Sequence, residues 1–398
     1  MRFRSSRGFA TMWMCLTVCA TVALMIVLGS AIAVRNASAA DTIKVGYVGP
    51  LSGSLSLLGQ GVRDGILVYF AYANEKGGVK GKQLELIAED DGYEPMRTVA
   101  ATKKLLEHDK IVTLLSPTGT ASTVALLPLV NENKLPLLFP YAFSHALTNP
   151  TKPYVFTTLT EVRVQMHVMA DHIVNNLKQR KVAAIYQNDD FGQDAVTGLV
   201  ERFNALNIPL TKLPFDRGST NFSGVVAQAR KAGVEHVVFL GIPRDAALVM
   251  KEANNMGWRP QFSGHNALGD PQTFKLAGQL AEGAIAVAVM EPLDSQKTQV
   301  QEFLAHQKKY LPKSSPTTYS IHGYNAAKIF VETLSRVEGK EIKADAIVGV
   351  LNNMRNFDTG LMGPISFSKD QHAGGLYNAI VKAKDGRWHL VTPWTKVK

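Results

Sequence analysis

Cysteine is almost absent from this chain of 398 residues. Its two cysteines, Cys15 and Cys19, both fall within the first forty residues. Residues 41–398 therefore can form neither a disulfide nor a thiolate metal site. We expect the folded part of the protein to have neither.

The usual sequence signatures of enzymes are also missing. The first turn, 49–53, lacks the G-x-G-x-x-G spacing of dinucleotide sites, and 77–83 has the wrong glycine spacing for a P-loop. No serine stands in a G-x-S-x-G elbow. His167 and His172 are five residues apart, whereas the two histidines of a zinc helix are four apart. We predict that the protein is not an enzyme and uses no cofactor or metal ion.

Dense basic tracts are absent as well. The net charge is +10, and it falls to +6 without the four arginines of the first forty residues. The remaining lysines and arginines are spread along the chain without interleaved aromatic residues. We therefore expect no nucleic-acid partner.

The N-terminal segment has the order of a secretory signal. Three arginines precede the uncharged apolar run 9–34, and the small residues 37–40 follow with an A-x-A arrangement. This pattern predicts a cleaved signal peptide at 1–40 and a location in the periplasm. An uncleaved membrane anchor is the alternative, because about 20 apolar residues can span a bilayer.

Beyond the signal, short β-branched runs alternate with longer amphipathic segments, and the series occurs twice. The predicted strands are 43–48, 83–88, 111–115 and 135–139, and then 182–186, 210–214, 236–240 and 261–263. Two such series predict an α/β protein of two doubly wound, parallel-sheet lobes. We assign 41–158 plus 290–375 to the N-terminal lobe, and 159–289 plus 376–398 to the C-terminal lobe. A ligand cleft is expected at the strand ends.

Polar and aromatic residues follow several of these strands. Hydroxyl residues dominate 116–123, just before an apolar helix, where they favour a site for a carboxylate. An ordinary helix cap is the alternative. Tyr141 and Phe143 follow the next strand, and Phe191 follows a strand of the second lobe. Rings from the two lobes could enclose an apolar ligand body.

Motifs along the whole of 41–398 resemble the periplasmic leucine/isoleucine/valine-type binding proteins. The matching segments are IKVGYVGPLSG at 43–53, Gly59, NEKGGVKG at 74–81, Asp90 with Asp91, DFG at 190–192, Asp216 with NFS at 221–223, and MGP at 362–364. The resemblance implies a type I periplasmic-binding-protein fold with three hinge crossovers. It also implies a monomer that captures a small amino acid or carboxylate-bearing solute by hinge closure and delivers it to the permease of an ABC importer.

The resemblance further implies a set of ligand-binding positions in the cleft. They are Leu58, Gly119, Thr120, Ser122, Tyr141, Ala142, Phe143, Phe191, Ile242 and Asn266.

One of these positions departs from the amino-acid binders of the family. Where those proteins place an acidic residue for the ammonium of the ligand, this chain has His265 and Asn266, and Asp270 comes four positions later. An ammonium buried without a partner costs about 3–5 kcal/mol. We therefore expect free amino acids to bind poorly compared with carboxylates that lack the α-amino group, unless Asp189, Asp190 or Asp270 reaches the ligand.

Two alternatives to a transport receptor remain. The first is a sensory or regulatory module that binds an aromatic acid or an amide-like solute. The second is a secreted hydrolase, which would need a nucleophile with a base in reach, and no spacing in the sequence supplies one.

Overall fold

The computed structural model describes residues 42–397, so the predicted signal peptide at 1–40 lies outside the described residues. The strands are β1 (Thr42–Gly49), β2 (Gln83–Asp90), β3 (Leu114–Leu115), β4 (Leu137–Leu138), β5 (Val155–Phe156), β6 (Val182–Gln187), β7 (Leu210–Phe215), β8 (His236–Leu240), β9 (Gln261–Gly264), β10 (Ile285–Ala288), β11 (Tyr377–Lys384), β12 (Arg387–Leu390) and β13 (Thr395–Lys396).

Helices separate most of these strands, as the alternating pattern predicted. They are α1 (Ser56–Glu75), α2 (Pro95–Lys104), α3 (Thr120–Ala125), α4 (Leu127–Asn133), α5 (Val162–Asp171), α6 (Asp190–Ala205), α7 (Ser223–Lys231), α8 (Pro243–Asn255), α9 (Pro271–Ala277), α10 (Thr298–Tyr310), α11 (Thr318–Arg336) and α12 (Ala344–Asn352). Within 42–397, no helix is both long and apolar enough to cross a bilayer.

The strands form two sheets, one in each lobe. The first sheet has the order β2-β1-β3-β4-β5 and is parallel throughout. The second has the order β12-β11-β10-β9-β8-β6-β7, and it is parallel only from β10 to β7. The prediction of two α/β lobes is therefore confirmed, with an antiparallel edge on the second sheet.

A tight hairpin accounts for the outermost strand of this antiparallel edge. Strands β11 and β12 are antiparallel and pair from Lys384 with Arg387 onward. The two residues between them, Asp385 and Gly386, have φ of 53° and 72°. Positive φ at both central residues is the geometry of a type I′ turn, which Asp-Gly favours. Such a turn reverses the direction of the chain, so β12 pairs antiparallel with β11.

The chain passes three times between the lobes, and the crossing segments are hydrogen-bonded to one another. After β5, Thr157 N donates to His372 O at 2.9 Å, and Gly374 N donates to Thr157 O at 2.8 Å. After β10, Glu291 N donates to Leu361 O at 2.8 Å. The lobe boundaries assigned from the sequence remain a prediction.

Helices α1 and α11 pack against each other in the first lobe because glycines let their backbones approach closely. A Cβ at Gly65 would lie 1.9 Å from Ser320 O, and a Cβ at Gly323 would lie 2.0 Å from Val62 O. Any side chain at these positions would push the helices apart. Helix α11 follows β10 in the chain, so this contact fixes the return of the chain to the first lobe.

Candidate functional site

A cavity between the lobes, here called the cleft cavity, encloses about 450 Å³ of space, part of it open to solvent. The first lobe lines it with Leu55, Leu58, Tyr93, Gly119, Thr120, Tyr141 and Phe143. The second lobe lines it with Gln187, Phe191, Gly241, Ile242, His265 and Ala267.

The cleft cavity lies at the carboxyl ends of the strands. In the first lobe the lining residues follow β1, β2, β3 and β4, and in the second they follow or end β6, β8 and β9. Ligands of open α/β sheets bind outside the carboxyl ends of the strands. The cavity therefore occupies the position that this topology favours for a ligand.

The loop between β3 and α3 is held against the loop after β4. Gly119 N donates to Tyr141 O, and Tyr141 N donates to Pro117 O, both at 3.0 Å. Gly119 has φ of 111°, and a Cβ there would lie 2.4 Å from the ring of Tyr93. Glycine is required at this position for both reasons, and it lets the Tyr93 ring reach the cavity.

Three hydroxyl groups in the cavity lining have a proton without a protein acceptor. Thr120 Oγ1 accepts from Phe143 N at 3.3 Å and Tyr141 Oη accepts from Asn266 Nδ2 at 3.1 Å, while the Thr120 backbone near the Tyr93 hydroxyl partly offsets the rise that burial causes in the pKa of Tyr93. None of the three donates to any residue within 42–397. All three are thus available as donors to a ligand.

Both phenols remain protonated at neutral pH. Burial raises the pKa of Tyr93, and the nearby Asp189 carboxylate raises it further. Burial also raises the pKa of Tyr141, although the hydrogen bond from Asn266 opposes this. The two phenols therefore act as hydrogen-bond donors and not as bases.

His265 contributes no positive charge to the cavity. Its Nε2 donates to Gly241 O at 2.9 Å, and its Nδ1 accepts from Ala267 N at 3.4 Å. Burial lowers the pKa of His265, while the bond to the Gly241 carbonyl partly offsets this. The imidazole is therefore neutral at physiological pH and holds the loop after β9 in place.

None of the described residues that line the cleft cavity is acidic. Asp189 accepts from Gly192 N at 3.1 Å as the N-cap of α6. Asp270 accepts from Gln272 N as the N-cap of α9, and from Thr318 N at 2.9 Å and Thr318 Oγ1 at 2.5 Å. Both carboxylates are thus engaged in structural hydrogen bonds and neither lines the cavity, although each is close enough to raise the pKa of a phenol that does.

Arg217 reaches from the second lobe to the first, next to the cavity. Its Nη1 donates to Tyr93 O at 3.1 Å, and its guanidinium lies 4.9 Å from the centre of the Tyr93 ring. The Arg217 guanidinium forms an ion pair with Glu94 at 3.4 Å. This contact places a paired guanidinium against the Tyr93 ring.

Aromatic rings from both lobes meet on the apolar side of the cavity. The centres of the Phe143 and Phe191 rings are 6.3 Å apart at an angle of 65°. The centres of the Phe191 and His265 rings are 4.7 Å apart. Edge-to-face packing of this kind gives a cavity wall that suits an apolar ligand body.

The structure brings most of the predicted site residues together. Those that line the cleft cavity are Leu58, Gly119, Thr120, Tyr141, Phe143, Phe191 and Ile242. Their role in binding a ligand stays a prediction.

Three predicted site residues do not line the cleft cavity. Ala142 packs in the hydrophobic core of the first lobe, because alternate residues of an extended segment face opposite sides and Tyr141 and Phe143 take the cavity side. Ser122 is buried in α3, and its hydroxyl has no hydrogen-bond partner within the described part of the chain. Asn266 lines a second cavity and donates a hydrogen bond to Tyr141.

Sequence reasoning did not single out several residues that line the cavity: Leu55, Tyr93, Gln187, Gly241 and Ala267. Gln187 ends β6 and Gly241 follows β8 directly, so the rule used for Tyr141 would have found them. Tyr93 follows β2 by three residues with φ of 65°, a backbone conformation that sequence does not reveal for a tyrosine.

In the part of the chain that the structure describes, no three His, Cys, Asp or Glu side chains are grouped so that they could hold a metal ion.

Comparison with known proteins identifies the family. The family model for "Periplasmic binding protein" matches residues 42–387. A Leu/Ile/Val-binding protein homolog 3 of Brucella melitensis is 26% identical over 360 residues, which are 88% of this chain and 94% of that protein. A leucine-, isoleucine-, valine-, threonine- and alanine-binding protein of Pseudomonas aeruginosa is 25% identical over 62% of this chain and 66% of that protein.

A solved structure shows the same fold. It is a branched-chain amino acid ABC transporter protein from Thermus thermophilus with bound valine, 24% identical, with a TM-score of 0.84 over 90% of this chain and 97% of that one. The predicted type I periplasmic-binding-protein fold is therefore confirmed, as is the resemblance to the leucine/isoleucine/valine-type proteins. Because these relatives are binding proteins, the prediction that the chain is not an enzyme is confirmed as well. The chain belongs to the periplasmic binding protein family.

Proposed function

We propose that this protein is the periplasmic receptor of an ABC importer for a small carboxylate with an apolar body and no α-ammonium group. The observation that carries the proposal is the polarity of the cleft cavity. Three hydroxyl protons in the lining are free to donate, and no acidic side chain is present among the described lining residues.

The hydroxyl donors suit the carboxylate. Thr120 and Tyr93 offer O–H groups to the carboxylate without presenting a fixed charge in the lining. Hydrogen bonds to a charged group contribute about 1.5–3 kcal/mol each to stability. A site of this kind can hold a carboxylate and release it again.

The same lining disfavours an ammonium group. The His265 imidazole uses its Nε2 proton on Gly241 O, and Asp189 and Asp270 are occupied as helix caps. An α-amino acid would therefore bury its ammonium without a charged partner, which costs several kcal/mol. The rings of Phe143 and Phe191, which pack edge to face, favour an apolar ligand body instead.

Two relatives support the transport role. The solved Thermus thermophilus protein is named as an ABC transporter, which supports transport, and the Brucella melitensis protein is named as a Leu/Ile/Val-binding homolog, which supports ligand binding. The predicted signal peptide would deliver this chain to the periplasm, where the two lobes close on the ligand and the closed form docks on the permease. That the protein acts as a monomer is also part of this proposal.

A thermal-shift panel tests the ligand class. The mature protein is heated with aliphatic and aromatic carboxylates, their amides, and the corresponding α-amino acids. At a hundred times its Kd, a ligand stabilises the folded state by about 2.7 kcal/mol. We expect carboxylates to raise Tm while amides and amino acids do not. Stabilisation by amino acids alone, or by no member of the panel, contradicts the proposal.

A further inference from the structure

A second cavity, here called the hinge cavity, lies beside the crossover that follows β10 and contains about 440 Å³ of space, part of it open to solvent. Residues 287–292, the end of β10 and the start of the crossover, form one side of it. Most of the other side chains around it are apolar, and they include Leu159, Val381 and Trp388.

Tyr141 and Asn266 form the wall between the hinge cavity and the cleft cavity. Tyr141 lines both cavities. Asn266 lines the hinge cavity, whereas its neighbours His265 and Ala267 line the cleft cavity. Asn266 Nδ2 donates to Tyr141 Oη at 3.1 Å, so the two side chains meet across the gap between the lobes.

The wall is held by contacts that do not depend on the Asn266 side chain. Asn266 N donates to Gln165 Oε1 at 3.1 Å, which fixes the backbone at this position. The Tyr141 ring packs edge-on against Tyr319 and His322, with ring centres 5.4 and 5.1 Å apart. Shortening the side chain at 266 therefore opens the wall and leaves the loop and the ring in place.

The hinge cavity is suited to an apolar group. Its one acidic lining residue, Glu291, is paired with Lys297 at 2.6 Å and accepts from Trp394 Nε1 at 2.7 Å. This carboxylate is thus neutralised and does not call for a cationic ligand. The remaining lining gives a hydrocarbon chain a place to be buried.

We propose that Asn266 sets the maximum length of the ligand by closing the cleft cavity off from the hinge cavity. This inference rests on the proposed function. The native ligand is a carboxylate whose apolar body ends at Tyr141 and Asn266. With the wall opened, the same carboxylate site accepts longer chains whose tails enter the hinge cavity.

The test uses straight-chain carboxylates, from butanoate to dodecanoate, titrated calorimetrically into the mature protein. For the wild type, affinity should rise by about fourfold for each methylene buried and then stop rising once the cleft cavity is full. For Asn266→Ala, the rise should continue to longer chains, while the shortest members bind as they do to the wild type. Asn266→Ser replaces Asn266→Ala if the alanine variant unfolds.

Two control variants separate the wall from a general loosening of the hinge. Asn266→Leu loses the hydrogen bond to Tyr141 but still fills the gap, so it should keep the wild-type length limit. Val381→Ala enlarges the hinge cavity without opening the wall, so it should also keep that limit.

A second readout locates the tail directly. Bromine at the far end of a carboxylate quenches tryptophan fluorescence on contact, and Trp388 lies in the hinge cavity. Long ω-bromocarboxylates should quench Asn266→Ala but not the wild type. The quenching should disappear when Trp388→Phe is added to Asn266→Ala.

The outcomes distinguish this inference from the proposed function. If the wild type binds no carboxylate of the series and none of the thermal-shift panel, the proposed function fails and this inference fails with it; if it binds carboxylates of the panel but none of the series, only this inference fails. If the wild type binds the series but Asn266→Ala shows the same length limit, or Val381→Ala extends it equally, only the inference about Asn266 is overturned.

Discussion

Thr120 lies where the chain leaves the first sheet and enters α3, with its hydroxyl in the cleft cavity. The hydroxyl oxygen accepts a hydrogen bond from Phe143 N, so the hydroxyl proton is available to a ligand. Thr123 is one turn further along the chain. Its buried hydroxyl has no partner among the described residues, and it does not line the cavity.

We predict that Thr120→Val weakens carboxylate binding by about 1.5–3 kcal/mol, because it removes a hydrogen bond to a charged group. Isothermal titration measures the change, and circular dichroism checks the fold. Thr123→Val, which makes the same exchange outside the cavity, should leave the affinity unaltered. Equal affinities for Thr120→Val and the wild type would reduce Thr120 to an ordinary helix residue.

A second residue-scale prediction concerns pH. Burial lowers the pKa of His322 to about 4, and its Nε2 donates to Phe139 O at 3.1 Å. The unfolded chain takes up this proton below about pH 6.5. The contribution of neutral His322 is therefore present above that pH and is lost as the pH falls from about 6.5 toward 4, by about 3 kcal/mol in all.

His322→Gln removes this titration. Denaturant unfolding at pH 7 and pH 4 should show a smaller loss of stability on acidification for the variant than for the wild type. An identical loss in both proteins would show that His322 does not carry a lowered pKa.

At the scale of elements, helix ends connect the two lobes. Asp270 caps α9 in the second lobe and also accepts from the backbone and hydroxyl of Thr318, the first residue of α11 in the first lobe. Thr318 lies outside the cleft cavity lining. The contact can therefore affect ligand affinity only through the closure of the lobes.

We predict that Thr318→Val weakens ligand binding by about 1.5 kcal/mol, since the closed form loses one hydrogen bond to a carboxylate. Titration of the best carboxylate measures this, and Thr318→Ser, which retains the hydroxyl, provides the matched control. An unaltered affinity for the valine variant would show that this contact does not stabilise the closed form.

The sequence predicts the elements better than it predicts which side chains face the cavity. Period-two and helical patterns locate strands such as 182–186, observed as Val182–Gln187. The ends of the predicted strands then indicate Tyr141 and Phe143 as candidate site residues. The alternation that turns Asn266 away while His265 faces the cavity depends on the register of a short loop. That register is set by tertiary contacts such as the bond to Gln165.

At the scale of the whole molecule, the structure has its lobes in contact across the cleft. Ser144 Oγ donates to Asp194 Oδ2 at 2.6 Å, and Arg217 donates to Tyr93 O. Asp270 with Thr318 and Asn266 with Tyr141 add further contacts between the lobes, and the chain connects the lobes through short crossovers that can act as hinges. A ligand that touches both lobes shifts the population toward this closed form.

We predict that the radius of gyration from small-angle X-ray scattering decreases when the mature protein is saturated with a tight carboxylate. The ligand-free protein samples open forms because no ligand bridges Thr120 and Tyr141 on one side with His265 and Phe191 on the other. A radius that stays constant at saturation would contradict the hinge mechanism.

The central claim is that the cleft cavity accepts a carboxylate but has no partner for an ammonium group. The most direct test is a paired calorimetric titration of leucine and of 4-methyl-2-oxopentanoate, which differ only in replacing the α-ammonium by a carbonyl. Our account predicts clearly tighter binding of the oxo acid. Tighter binding of leucine, abolished by Asp189→Asn or Asp270→Asn, would contradict it and would place the missing charge on one of those helix caps.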